Sequence, residues 1–139
     1  MTLNPSLNRF LLSLALGCIL TVSAWIPLHG AEPWIAPAEA NGYKNIKPLN
    51  SASIAAGKKV YDKYCTLCHG ETGGGDGASA KTMLIPPAAF TDKALMEKQS
   101  DGALAWKILN GRGPMPSWAP VLQEDQIWNV INYIRQFTK

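Results

Sequence analysis

The chain has 139 residues, 47% of them apolar and 17% charged, with a formal net charge of +3. That length admits one domain, and the absence of a basic stripe interleaved with aromatics excludes a nucleic-acid surface. Of three cysteines, two fall within one short motif, so no structural disulfide is available.

Residues 10–26 (FLLSLALGCILTVSAWI) form an apolar run preceded by the single charge of Arg9, which reads as a secretory signal. The run is also at the lower edge of what spans a bilayer, so residues 1–26 are a signal peptide or an N-terminal membrane anchor. Cleavage after Ala24, Ala31 or Ala40 stays open; Ala38-Glu39-Ala40 is the best small-x-small site but lies far from the apolar run. Cys18 follows Gly17 as a lipidated cysteine would, but Ile19-Leu20-Thr21-Val22 continue apolar, so Cys18 is read as part of the signal. Losing Arg9 with the leader takes the net charge from +3 to +2. Residues 27–50, rich in Pro, Ala, Gly and Asn and without periodicity, read as a linker or extended arm. The folded domain is then expected over residues 51–139.

Ser51-Ala52-Ser53 offers a helix N-cap, after which Ile54, Gly57, Val60-Tyr61 and Tyr64 recur at helical spacing. This helix runs into Cys65-Thr66-Leu67-Cys68-His69. Two cysteines two residues apart suit thioether bonds to the two vinyl groups of one porphyrin, and the adjoining histidine can ligate the iron through Nε2. Zinc sites and redox dithiols also use CxxC, but no second cysteine pair and no βαβ pattern accompany this one. Residues 70–77 (GETGGGDG), with five glycines in eight positions, form an irregular loop; with no strand before it and no GK[ST] after it, it is not a phosphate loop. Pro86-Pro87 forces an extended segment.

A short helix is expected around residues 93–98, and a third over 102–110, started by Ser100 or Asp101 and stopped by Gly111. Residues 111–116 (GRGPMP) are a loop by composition. The last helix, about 123–137, carries an apolar stripe of Ile127, Val130, Ile131, Ile134 and Phe137, with Glu124 and Asp125 at its positive end. The domain reads as all-α. Its ninety or so residues are few for a self-sufficient core, so the haem is expected to act as the plate around which short helices pack. The apoprotein is expected to be largely unfolded.

His69 is the fifth iron ligand. Met83, Met96 and Met115 are candidates for the sixth; the other histidine, His29, lies in the arm. Met96 falls in a short helix and reads as core, whereas Met83 could line the crevice. Met115 sits between Pro114 and Pro116, which stiffen the backbone so that a thioether is held in place. Met115 is the assigned ligand.

From about Ser53 onward the chain resembles a monohaem class I cytochrome c domain. The matching residues are Gly57 and Tyr61 ahead of the CTLCH motif, Gly113-Pro114-Met115-Pro116, and the closing helix with Val130 and Tyr133. The resemblance implies short helices around one covalent haem c, with the first and last helices crossing near Gly57 and with Tyr61, Val130 and Tyr133 at the crossing. It also implies that a proline carbonyl, of Pro86 or Pro87, accepts the Nδ1 proton of the haem histidine. Trp106 and Trp118 are expected in the haem wall. Arg112 is a candidate for a propionate or a redox partner, and Lys58, Lys59 and Lys63 read as a solvated face.

These readings converge on an exported one-electron carrier, periplasmic or on the outer face of the cytoplasmic membrane, with a positive midpoint potential. Its partners would be a redox donor and acceptor, with no small-molecule substrate. Electrons would cross a haem edge ringed by Pro114, Pro116, Ala119 and Pro120. A dedicated subunit of a larger complex is the alternative. A haem peroxidase or gas-binding protein is opposed by Met115 and by the want of a distal histidine.

Overall fold

The computed structural model describes residues 33–139. The signal or anchor of residues 1–26, Cys18, His29 and the cleavage sites at Ala24 and Ala31 lie outside the described residues. Five α-helical segments are present: α1 (Ser51–Tyr64), α2 (Thr66–His69), α3 (Lys93–Glu97), α4 (Asp101–Asn110) and α5 (Glu124–Ile134). Short 3₁₀ turns occupy Ala38–Gly42, Ala78–Thr82 and Arg135–Thr138. Among the described residues the only β-type pairing is an isolated bridge between Arg112 and Met115, and no helix is long and apolar enough to cross a membrane. The fold is all-α.

Caps set the helix starts. Asn50, one residue before the expected site, caps α1: its side chain accepts from the Ser53 N–H at 2.9 Å. Asp92 caps α3 and Ser100 caps α4, each accepting at 3.0 Å from the amide three residues on. Gly111 ends α4. The last helix stops being α-helical at Ile134 and tightens into the Arg135–Thr138 turn.

The first and last major helices cross where Gly57 meets α5. A Cβ on Gly57 would run into the Asn129 carbonyl, so only glycine allows this approach. Tyr61, Val130 and Ile131 are fully buried at the crossing, and the Tyr61 and Tyr133 rings pack at 5.3 Å. The Tyr61 hydroxyl donates to the Gly70 carbonyl at 2.8 Å, and burial pushes its pKa up. Met96 is core, as its helical position implies.

The folded unit does not begin at Ser51. Residues 33–50 are an arm laid against the domain: Ala36 and Ala40 pack on Ala103 of α4, with Ala40 at 0% exposure. Asn132 of α5, 3% exposed, fastens the arm's far end. Its amide donates to the Ser53 hydroxyl at 2.9 Å and to the Lys47 and Pro48 carbonyls at 3.3 and 3.4 Å, and its oxygen accepts from Asn45 at 2.9 Å. The Lys47–Asp125 ion pair adds a surface contact at 2.6 Å. Cleavage after Ala40 would cut through this packed turn.

Candidate functional site

The motif is placed by the end of α1. Cys65 caps that helix, its N–H reaching the Tyr61 carbonyl at 2.8 Å, and the single turn of α2 then carries Cys68 and His69. The glycine-rich loop doubles back along the motif: Gly75 N–H donates to the His69 carbonyl at 2.8 Å and Gly77 N–H to the Cys68 carbonyl at 3.1 Å. Gly75 has φ +75°, which other residues rarely adopt, and a Cβ there would crowd the Pro87 carbonyl.

The segment beside this loop supplies the carbonyl that serves the histidine. His69 Nδ1 lies 3.1 Å from the oxygen of Ala88, neither that of Pro86 nor that of Pro87. The Pro87 carbonyl abuts Gly75, and in extended chain successive carbonyls point to opposite sides, which turns Ala88 toward the imidazole. Phe90 stacks on the His69 ring at 4.4 Å and 17°. Burial lowers the His69 pKa and the Ala88 carbonyl partly restores it, so the ring is kept neutral, the form that ligates a metal. With Nδ1 bonded to Ala88, Nε2 is the nitrogen free for iron. Burial, reinforced by Cys68, pushes the Cys65 thiol up to about 12.

Cys65, Cys68, His69, Met83 and Met115 line one cavity of about 1020 Å³, its open mouth included. Ile108, Val130, Ile134, Leu122 and Trp118 supply an apolar wall, and Pro86, Pro87, Arg112, Pro114 and Pro116 reach the same space. Met115 sits in a loop tied down at several points. Its N–H and carbonyl pair with Arg112 at 3.2 and 3.0 Å, the Ser117 hydroxyl donates to Leu109, and the Trp118 N–H reaches the Ile108 carbonyl at 3.1 Å.

The donor set suits a covalent haem: two cysteines at the attachment spacing, a histidine with a fixed tautomer, and a thioether, all on one apolar chamber. Among the described residues no three His, Cys, Asp or Glu side chains converge as a metal-ion site would need.

Trp118 lines the cavity beside Tyr64, at 5.2 Å. Trp106 does not reach it. It packs with Ala36, Ala40 and Ala103 beneath the arm, because Leu104 and Ile108 hold the core face of α4 and Trp106 lies half a turn away. The second tryptophan that lines the cavity is Trp34, from the arm, with Lys107 Nζ and Arg112 Cζ at 5.5 and 5.3 Å from its ring centre. Neither Trp34 nor Phe90 carries a periodic signal in the sequence. Lys58, Lys59 and Lys63 are exposed, and Lys58 pairs with Asp62 at 2.6 Å on the outer face of α1.

Residues 52–134 match the family described as cytochrome c oxidase, cbb3-type, subunit III. Similar curated proteins include a cytochrome c6 of Chlorolobion braunii, 36% identical over 60% of this chain and 89% of its own length. Another is a cytochrome c6 of Leptolyngbya boryana, 35% identical over 60% of this chain and 91% of its own. Among solved structures, the reducing HAO-like protein complex Kustc0457/Kustc0458 of Kuenenia stuttgartiensis is similar at 29% identity and a TM-score of 0.59. There the likeness covers 73% of this chain and 55% of the other.

Proposed function

Because the chain belongs to the monohaem class I cytochromes c, which carry one covalently bound haem c and pass single electrons between redox proteins, we propose that Cys65 and Cys68 hold the haem and that His69 and Met115 are its axial ligands. The observation that supports this reading is the convergence of these four side chains on one apolar cavity. Haem, when bound, supplies the one-electron ferric–ferrous couple, and methionine ligation with burial favours the ferrous state. Ala88 holds the His69 tautomer and ring plane. Ile108, Val130, Ile134 and Trp118 exclude water. Pro114 and Pro116, exposed at the mouth, with Ala119 and Pro120 beyond them, form the rim a redox partner would meet.

Met115→Leu in the haem-loaded protein tests the assignment. The oxidised parent is expected to show the weak sulfur-to-iron charge-transfer band and a positive midpoint potential, and the variant to lose the band and fall in potential. A band that survives in the variant would transfer the role to Met83, which lines the same cavity.

The proposed location is outside the cytoplasm, periplasmic or on the outer membrane face, with residues 1–26 as export signal or anchor; the apolar run after Arg9 supports it. Service as a dedicated subunit is the second reading. It is favoured by a family described as an oxidase subunit and by the likeness to a chain of a multiprotein complex. Co-purification from native membranes with haem staining and N-terminal sequencing separates a shuttle from an anchored subunit.

A further inference from the structure

Phe90 stands in the turn ahead of α3, belongs to no helix and is buried, at 8% exposure. Its ring is stacked on the His69 imidazole, with centroids 4.4 Å and planes 17° apart. It also lines the chamber onto which His69 opens. The imidazole is thus held at one edge by the Ala88 carbonyl, 3.1 Å from Nδ1, and across one face by Phe90. The two restraints differ in kind. A carbonyl oxygen accepts over a broad range of directions, so the imidazole could turn about the nitrogen–oxygen line and keep that bond. A stacked ring opposes the turn, because tilting one plane drives its edge into the other.

Phe90 is itself held from several sides. Its N–H donates to the Gly73 carbonyl at 2.6 Å. Gly73, with φ +75°, has no room for a Cβ, which would strike the Phe137 ring. Tyr61 meets the Phe90 ring edge-on at 6.3 Å. Tyr61 is fixed in turn by its hydroxyl bond to the Gly70 carbonyl, at 2.8 Å, and by the Tyr133 and Phe137 rings, each 5.3 Å away. Packed aromatic rings therefore lead from the crossing of α1 and α5 to the face of the histidine.

The geometry points to Phe90 as a positioning residue that sets the rotation of the His69 imidazole about its bond to iron, while the Ala88 bond selects which nitrogen is free for the metal. The inference rests on His69 as ligand and is independent of Met115. In low-spin ferric haem the plane of an axial imidazole helps to select which of two nearly equal iron orbitals holds the unpaired electron, and so along which porphyrin axis its spin spreads. A ring that cannot turn gives every molecule the same direction.

Proton NMR of the oxidised, haem-loaded protein reads that direction in the hyperfine-shifted haem methyl resonances. Phe90→Leu keeps an apolar side chain and removes the stacked plane; it is expected to reorder the methyl shifts or narrow their spread. Phe90→Tyr keeps the ring and is expected to retain the parent pattern. Leu104→Val, a core truncation away from the chamber, is expected to lower the denaturant midpoint and leave the methyl shifts in place. A parent pattern in Phe90→Leu, or an equal change in Leu104→Val, would overturn the inference. Should Phe90→Leu fail to bind haem, a crystal structure of the haem-loaded parent decides: rings still stacked support the inference, and rings apart overturn it. A parent lacking the low-spin ferric spectrum of a histidine-ligated haem defeats the ligand assignment itself, whereas the variant outcomes bear on Phe90 alone.

Discussion

Asn132→Leu should unfasten the arm. Asn132 is 3% exposed and makes four hydrogen bonds, two at 2.9 Å and two at 3.3 and 3.4 Å. The two short bonds contribute about 1 kcal/mol each, and the two long bonds to the Lys47 and Pro48 carbonyls about half that. Leucine keeps the branched shape of asparagine, is larger, and adds apolar burial. It also takes one partner each from the buried Ser53 hydroxyl, which keeps its bond to the Asn50 carbonyl at 3.3 Å, and from the Asn45 amide, which keeps Asp101 at 3.2 Å. The net cost is about 3 kcal/mol, which for a domain of about 100 residues lowers Tm by about 12–24 °C. Guanidinium denaturation of the haem-loaded protein should show a lower midpoint at unchanged m. Asn45→Ala should cost less in the Asn132→Leu background than alone, since the two share a bond, while its bonds to Asp101 and the Lys47 amide are lost in either. Limited proteolysis should cut residues 41–49 faster. A loss under about 1 kcal/mol, or full additivity with Asn45→Ala, would refute the view that this hub ties the arm to the helix crossing.

Gly57→Ala should destabilise by about 2 kcal/mol, despite the ~1 kcal/mol gained from helix propensity. The new Cβ meets the rigid Asn129 carbonyl and, at 3.0 Å, the Tyr133 Cβ, so denaturant midpoints should fall while the optical spectrum stays unchanged. Tyr61 sets an alkaline limit. Burial raises its pKa above the unfolded value of 10.0, so above pH 10 the folded chain retains a proton that the unfolded chain releases. Stability is then fully present below pH 10 and declines as pH climbs past it. Tyr61→Phe should flatten this decline relative to the parent, at about 1 kcal/mol lost at neutral pH with the bond to Gly70. Removing the haem should abolish cooperative unfolding, because Tyr64 of α1, Ile108 of α4 and Val130 and Ile134 of α5 all line the chamber and would lose the group they pack around. A native-like calorimetric transition in apoprotein would contradict that.

The parts legible in the sequence are those with a local or periodic cause. Caps at Ser100 and Gly111 bounded α4, the stripe of Ile127, Val130, Ile131 and Ile134 marked α5, and CTLCH announced its own chemistry. The arm was less legible because it packs through two alanines, Ala36 and Ala40, and main-chain carbonyls, none of which differs in composition from a linker. That Ala88 rather than Pro87 faces the histidine goes with the approach of Gly75 to the Pro87 carbonyl, a distant contact that no local rule contains. Trp106 is different. It is two residues from both Leu104 and Ile108, so helical phase alone turns it away from the core they share. Trp34 could be found only by knowing that the arm folds back.

The two proposed ligands are held by unlike means that share one property. His69 is oriented by a main-chain carbonyl and a stacked ring, Ala88 and Phe90. Met115 is oriented by its own backbone bonds to Arg112 and by the Trp118–Ile108 bond that follows. Neither anchor depends on the charge of what the cavity encloses, and each rests on a buried core residue, Phe90 for the histidine and Ile108 for the methionine loop. A one-electron change therefore meets a chain with little reason to move, which is the condition for rapid outer-sphere transfer.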